Sequence, residues 1–335
     1  MATPNVVFGT SIFKSEKGFN TQKVKDMLAI IEAQGITTLD TSAVYAESEQ
    51  YLGEANASTH FTIHTKLPGF AGPKPSTKDM VIATGKESLK KLKTTQVDVY
   101  YIHGPDARVP VEETLEGIHS LYKAGAFRRF GLSNFDPDQT KEVLRICQER
   151  NYVLPSVYQG HYSAVARRPE TDLFPILRKH NISFYAYSPI SGGFLAKTPE
   201  DLRQGAGGRW DPESPSGQMY HSLYVGKPAT MAALAKWHEV ADAEGIPAVE
   251  MAYRWVVHNS ILDGSKGDGV VVGSKDAAQL RGTMEAIRKG PLSAEVQGKI
   301  DAIWKTMEHE SFLDYYNGYI KIQAGPKGQD GDKKS

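Results

Sequence analysis

The chain has a single cysteine, no surplus of either charge, and no apolar run long enough to span a membrane. One cysteine, Cys147, excludes an intramolecular disulfide framework and fits a reducing compartment. Its neighbours Val143, Leu144 and Ile146 follow a helical period, which reads as buried packing. Lys+Arg number 39 against 39 Asp+Glu, which removes the electrostatic case for nucleic acid or an anionic membrane as a partner. The pairs Arg128-Arg129 and Arg167-Arg168 read as solvated faces. No basic-then-apolar leader opens the sequence, so a cytoplasmic protein is the expectation. No Gly-x-Gly-x-x-Gly turn follows an early strand, which argues against a doubly wound nucleotide-binding sheet. The scattered histidines lack metal-ligand spacing, and no flavin signature is evident.

What the chain does have is a regular alternation of short β-rich runs with longer runs of helical period. The spacing predicts strands at Val6–Thr10, Ile36–Asp40, Phe61–Lys66, Val97–His103, Phe127–Gly131, Ser156–Gln159, Ser183–Tyr187 and Val270–Gly273. Asn20 caps a helix that Gly35 stops, with Val24, Met27, Leu28 and Ile31 on its inner face. Ser76 is expected to cap the helix bearing Leu89 and Leu92. Leu115, Ile118, Leu121 and Tyr122 mark another helix, stopped by Gly125. Asp136-Pro137 opens the next, proline suiting a first helical turn, and Asp276 and Ser293 look like caps of the last two. With no interdomain linker, the alternation predicts an α/β fold: a single-domain (β/α)8 TIM barrel over residues 1–322, followed by a flexible polar tail at 323–335. Trp237, Trp255 and Trp304 read as packing groups.

In such barrels, active-site residues sit at the carboxyl ends of the strands. Four polar residues lie at or just beyond early strand ends: Asp40, Tyr45, Lys66 and His103. A free tyrosine is a weak acid, and an adjacent ammonium lowers its pKa. A carboxylate paired with that ammonium keeps it charged and oriented, and a histidine on the next strand can donate to a substrate oxygen. The four therefore read as orienter (Asp40), proton donor (Tyr45), tuner (Lys66) and carbonyl-positioning donor (His103). Carbonyl reduction also needs hydride, for which a nicotinamide cofactor is the economical source. Later on the same rim, Ser133, Asn134 and Gln159 can hydrogen-bond a carboxamide, and Tyr187 offers a flat face to the ring. Ser191-Gly192-Gly193 permits close backbone approach to a pyrophosphate, and Ser274 with Lys275, before the Asp276 helix, suits an adenosine phosphate.

The runs Leu39-Asp40-Thr41-Ser42-Ala43-Val44-Tyr45, Thr65-Lys66, Tyr101-Ile102-His103, Gly131-Leu132-Ser133-Asn134-Phe135 and Tyr187-Ser188-Pro189 resemble the motifs of the aldo-keto reductase superfamily. Val157–Tyr162, Glu170–Pro175 and Phe184–Tyr187 make the chain most similar to its aflatoxin-aldehyde and succinic-semialdehyde reductase branch. The resemblance implies NADPH-dependent reduction of aldehydes or ketones, with NADP+ as the oxidised product and Tyr45 as proton donor. It extends the pyrophosphate contacts along Ser188, Pro189, Ile190, Gly192, Gly193, Leu195 and Lys197, and adds Arg209. It assigns the adenosine end to Lys275, Gln279 and Thr283, and the substrate side to Tyr45, His103 and Tyr220. The branch suggests a homodimer, although the sequence carries no interface signal of its own.

Three departures stand out against that branch. An arginine that holds an acidic substrate's carboxylate is replaced by Leu223. His161 and Ser163 replace a methionine and an asparagine after Gln159. Thr283 replaces an asparagine on the adenine side. Two other readings remain beside the reductase: a nucleotide-sensing regulatory subunit on the same scaffold, and an aldolase using Lys66 as a Schiff-base lysine. Tyr315, Tyr316 and Tyr319 either line the substrate mouth or anchor the tail.

Overall fold

The β-rich runs become eight parallel strands, each hydrogen-bonded to the next and closed into a barrel. They are β1 (Asn5–Gly9), β2 (Thr38–Asp40), β3 (Thr62–Leu67), β4 (Val97–Ile102), β5 (Phe127–Ser133), β6 (Pro155–His161), β7 (Ser183–Tyr187) and β8 (Gly269–Val272). Closure is made by β8 on β1, where Phe8 lies opposite Val272. This computed structural model describes residues 2–205 and 207–323. The tail expected at 323–335 therefore falls, beyond Gln323, outside the described residues.

Successive strand residues point to opposite faces, and that period of two sorts the side chains. Val7, Val99, Tyr101, Val157, Tyr185 and Val271 fill the barrel interior. Phe8, Tyr100, Tyr158, Val270 and Val272, each one residue away, turn outward and pack beneath the helices. Tyr101 fits inside because its register partner on β5 is Gly131. A Cβ on Gly131 would stand 2.2 Å from a ring carbon of Tyr101. The same alternation carries Lys66 inward on β3 while Ile63 and Leu67 join the outer core.

The helices follow from their caps. Asn20 accepts from the Lys23 N–H at 3.0 Å and starts Thr21–Ala33, whose buried residues are Val24, Met27, Leu28 and Ile31. Asp136 and Gln139 form a capping box at Pro137–Glu149. Asp276 and Ser293 start Ala277–Arg288 and Ala294–Met307. Cys147 is buried, and burial pushes its thiol up to about 12. Trp237, Trp255 and Trp304 are buried as packing groups.

Some local expectations are corrected. Thr77, not Ser76, caps Lys78–Leu92, because the Ser76 N–H and hydroxyl both donate to Asp106. Neither arginine pair is simply solvated. Arg129 forms an ion pair with Asp98, and Arg167 lies buried over the Trp255 ring with its guanidinium on Asp301. β5 and β6 run two residues further toward the barrel mouth than the sequence indicates, to Ser133 and His161. Between β7 and β8, Pro215–Tyr220 forms part of the mouth, and the final helix Tyr315–Gln323 contributes Tyr315 and Tyr316 to it.

Candidate active site

The chain after β2 stays zipped to β3. Thr41 N–H donates to His64 O at 2.8 Å and Ala43 N–H to Lys66 O at 3.2 Å. A turn then follows, with Tyr45 N–H on Ser42 O at 3.0 Å. This path carries Tyr45 over the inward-facing Lys66, whose Nζ lies 5.2 Å from the Tyr45 ring centre. Lys66 is fully buried and donates to Asp40 Oδ2 at 2.5 Å and to Thr41 O at 2.9 Å. His103 follows β4 directly, its N–H on Leu67 O at 3.0 Å. Its imidazole meets the Tyr45 ring edge-on, with centroids 5.7 Å apart. The four side chains expected to meet at the barrel mouth are brought together there.

Their electrostatics differ in one respect from the expectation of an acidified phenol. Burial is the largest influence on Tyr45 and lifts its pKa above the ordinary value, while the Lys66 charge opposes the rise. The net direction is upward, so the phenol keeps its proton throughout the neutral range. Burial would lower Lys66, but the Asp40 charge, helped by hydrogen bonding to Asp40 and Tyr45, outweighs it and holds the ammonium above its usual range. His103 is pushed down to about 3 by burial and by the Lys66 charge, so its imidazole is neutral near pH 7.

A cavity of about 1050 Å³ opens from this cluster. Asp40, Tyr45 and His103 border it; Lys66 lies behind them without reaching its surface. Ser133, Asn134, Gln159 and Tyr187 continue its wall, as do Ser188, Pro189 and Ile190. Further along come Gly192, Gly193 and Arg209, then Ser274, Lys275 and Gln279. Tyr220 borders the cavity as well. Gly192 has φ 66°, and a Cβ there would stand 2.6 Å from the Tyr220 ring, so a bare backbone is required. Asn134 also holds a left-handed conformation, φ 59°. Its Nδ2 donates to His103 O at 2.8 Å, and its Oδ1 accepts from the Tyr187 hydroxyl at 2.7 Å.

Four expected contacts do not reach the cavity. Leu195 is fully buried in the hydrophobic core. Lys197 follows it beyond the cavity wall, its carbonyl accepting from His238 Nε2 at 2.8 Å. Thr283 is buried on its helix beside Tyr253, and it is Tyr253 that borders the cavity. Leu223, expected on the substrate side, is buried against the final helix; a Cβ on Gly318 would stand 2.9 Å from its Cδ2.

The structure also explains the substitutions after Gln159. His161 stacks between Tyr187 and Phe312, at 5.7 and 5.3 Å, and burial holds it at about 3, so it acts as a neutral flat support behind Tyr187. Ser163 hydrogen-bonds Ser191 at 2.7 Å, tying down the start of the Ser191-Gly192-Gly193 turn.

Several cavity residues carry no strand-end signal in the sequence. Ile12, Lys14 and Lys17 come from the loop after β1, and Phe70 from the loop after β3. Met219 and Tyr253 lie on helices between β7 and β8. Of the C-terminal tyrosines, Tyr315 and Tyr316 border the cavity. Among the described residues, no cluster of His, Cys, Asp and Glu is arranged to hold a metal ion, and no helix is long and apolar enough to cross a membrane.

Comparison with known proteins gives this geometry a family. The sequence pattern of the aldo/keto reductase family matches residues 5–305. The chain is 36% identical to the oxidoreductase sirO of Leptosphaeria maculans over 92% of its own length and 96% of that protein's. It is 34% identical to human aldo-keto reductase family 7 member A3, covering 83% of this chain and 87% of the relative. Human aflatoxin B1 aldehyde reductase member 4 is 33% identical over the same shares. A match across nearly the whole barrel, with relatives aligned along most of their length, shows that this chain belongs to the aldo/keto reductase family.

Proposed function

We propose that the protein is an NADPH-dependent reductase of aldehydes or ketones, with Tyr45 as its proton donor. The observation that carries this reading is the buried Lys66–Asp40 pair directly beneath a protonated Tyr45, beside a neutral His103. Tyr45 offers its proton to the carbonyl oxygen while a new C–H bond forms. The Lys66 ammonium then stabilises the phenolate left behind, and Asp40 keeps that ammonium charged and in place. His103, being neutral, orients the carbonyl by donating a hydrogen bond and is not itself the acid.

The cavity's donor set fits a dinucleotide. Gln159 Nε2 is committed to Asp40 at 2.9 Å, which leaves its amide oxygen for a carboxamide N–H. Tyr187, backed by His161, presents a supported ring. Gly192 and Gly193 expose backbone beside Arg209, a charge match for a pyrophosphate, and Lys275 with Gln279 suits a phosphorylated ribose. A dihydronicotinamide held by these groups supplies the hydride. The names of the aflatoxin-aldehyde-reducing relatives favour an aldehyde. The same reading makes a small carbonyl compound, rather than nucleic acid or a membrane, the partner. It includes a cytoplasmic location and a homodimer, the latter tested by light scattering in solution.

The test is NADPH oxidation with a panel of aldehydes and ketones, in wild type and Tyr45→Phe. Turnover is expected to fall on the order of 10²–10⁴-fold in the variant, with NADPH affinity retained. A variant as fast as wild type refutes Tyr45 as donor. Tight NADPH binding with no turnover of any carbonyl favours a nucleotide-sensing subunit instead.

A further inference from the structure

We infer that Ser42 is a positioning residue: its hydroxyl holds His103 in the tautomer that carries the proton on Nε2, so that the ring offers a donor to the substrate carbonyl. The inference rests on the reductase reading of His103 and adds to it how the imidazole is kept in its useful form.

A neutral imidazole has one N–H and one bare nitrogen, and what faces Nδ1 decides which is which. The Ser42 oxygen lies 3.1 Å from His103 Nδ1, in a residue only 1% exposed. Its position is set by the backbone on either side, since Thr41 and Ala43 both donate to β3 carbonyls. The same hydroxyl accepts from the Val44 N–H at 3.4 Å. Two proton arrangements are open. If the hydroxyl donates to Nδ1, it accepts from Val44 and gives to His103, and both groups are satisfied. If Nδ1 carries the proton instead, Ser42 accepts twice, and among the described residues its own proton has no recorded acceptor. Leaving a buried hydroxyl proton unpaired is costly. The first arrangement wins, and it puts the proton on Nε2. The His103 backbone is pinned separately, its carbonyl accepting from Asn134 Nδ2 at 2.8 Å.

The test uses full-length protein labelled with ¹⁵N-histidine, with His103 assigned by its loss in His103→Asn. Long-range ¹H–¹⁵N spectra read the tautomer without any reaction. Wild type is expected to show Nδ1 unprotonated and Nε2 protonated. Ser42→Ala is expected to mix the tautomers and to lower kcat/KM for an aldehyde roughly tenfold, as loss of an orienting partner does at other sites, with NADPH affinity unchanged. Ser42→Thr, which keeps the hydroxyl, is expected to restore both readouts. A wild-type spectrum with Nδ1 protonated overturns the inference. So does Ser42→Ala with an unchanged tautomer, or with a changed tautomer and unchanged kcat/KM. If wild type turned over no carbonyl, the reductase reading would fail, while the histidine spectrum would still decide what Ser42 does to the ring.

Discussion

Gln159 on β6 donates its side-chain amide to Asp40 on β2 at 2.9 Å, across a sequence separation of 119 residues. The bond ties the floor of the proton-donating cluster to the wall proposed to hold the cofactor. Asp40 thus has both oxygens occupied, Oδ2 by Lys66 and Oδ1 by Gln159. Gln159→Leu removes the amide and leaves one oxygen of a buried carboxylate unpaired. The lost hydrogen bonds amount to about 1–2 kcal/mol, so NADPH affinity is expected to weaken roughly tenfold. Cofactor fluorescence titration measures this, and unchanged affinity would contradict Gln159 as a carboxamide partner.

Stability should fall on moderate acidification because His161 is buried and neutral. Its folded pKa of about 3 lies below the ordinary 6.5, so below about pH 6.5 the unfolded chain takes up a proton that the folded protein refuses. The unfolded state then binds more protons, and unfolding free energy decreases as pH falls from about 6.5 toward 3. At pH 5 the loss is about 2 kcal/mol for His161 alone. His103 is shifted in the same direction and adds to it. Urea unfolding at pH 7 and pH 5 checks the sign, and His161→Phe should flatten part of the slope.

The rim residues were legible in the sequence because each sits at a fixed point on a short alternating run. Period two sends Lys66 inward, and the strand end brings Asp40 and His103 to one mouth once the barrel closes. Leu223 was not legible. Three residues after Tyr220, it would share a face with it in an α-helix, but the backbone widens to a π-helical turn at His221–Val225, and Leu223 is buried beneath the final helix instead. Tyr253 was missed for a related reason: Thr283 lies on the expected helix, yet the tyrosine packed against it takes the cavity wall. Lys14 and Phe70 lie in loops, whose paths depend on distant contacts rather than on local periodicity.

The far end of the cavity should decide between NADPH and NADH. Gln279 accepts from the Lys275 N–H at 2.8 Å, which shapes the loop at the start of its helix and leaves the exposed Lys275 side chain at the cavity edge. An ammonium there recognises an added phosphate and gains little from a bare ribose. Lys275→Met is expected to raise the dissociation constant for NADPH about tenfold, the scale of one charge-assisted hydrogen bond, and to change that for NADH little. Parallel titrations with the two nucleotides test this, and equal effects on both would remove Lys275 from the discrimination.

Phe70 forms the aromatic side of the mouth. Its ring packs at a 32° tilt against Tyr316 of the final helix, with centroids 4.1 Å apart, and stands 6.5 Å from the His103 ring. It rests on Gly104, where a Cβ would come within 2.4 Å of the ring, so the residue after His103 must be bare for Phe70 to lie there. The ring is 37% exposed, which leaves apolar area for a substrate to cover. Phe70→Ala should therefore raise KM for aromatic aldehydes by roughly 3–10-fold, the scale of one aromatic contact, with kcat largely retained. Short aliphatic aldehydes, which cannot cover the ring, should respond less. Steady-state kinetics on a matched pair of aldehydes separates the cases: an equal loss for both would mean that Phe70 shapes His103 rather than contacting the substrate.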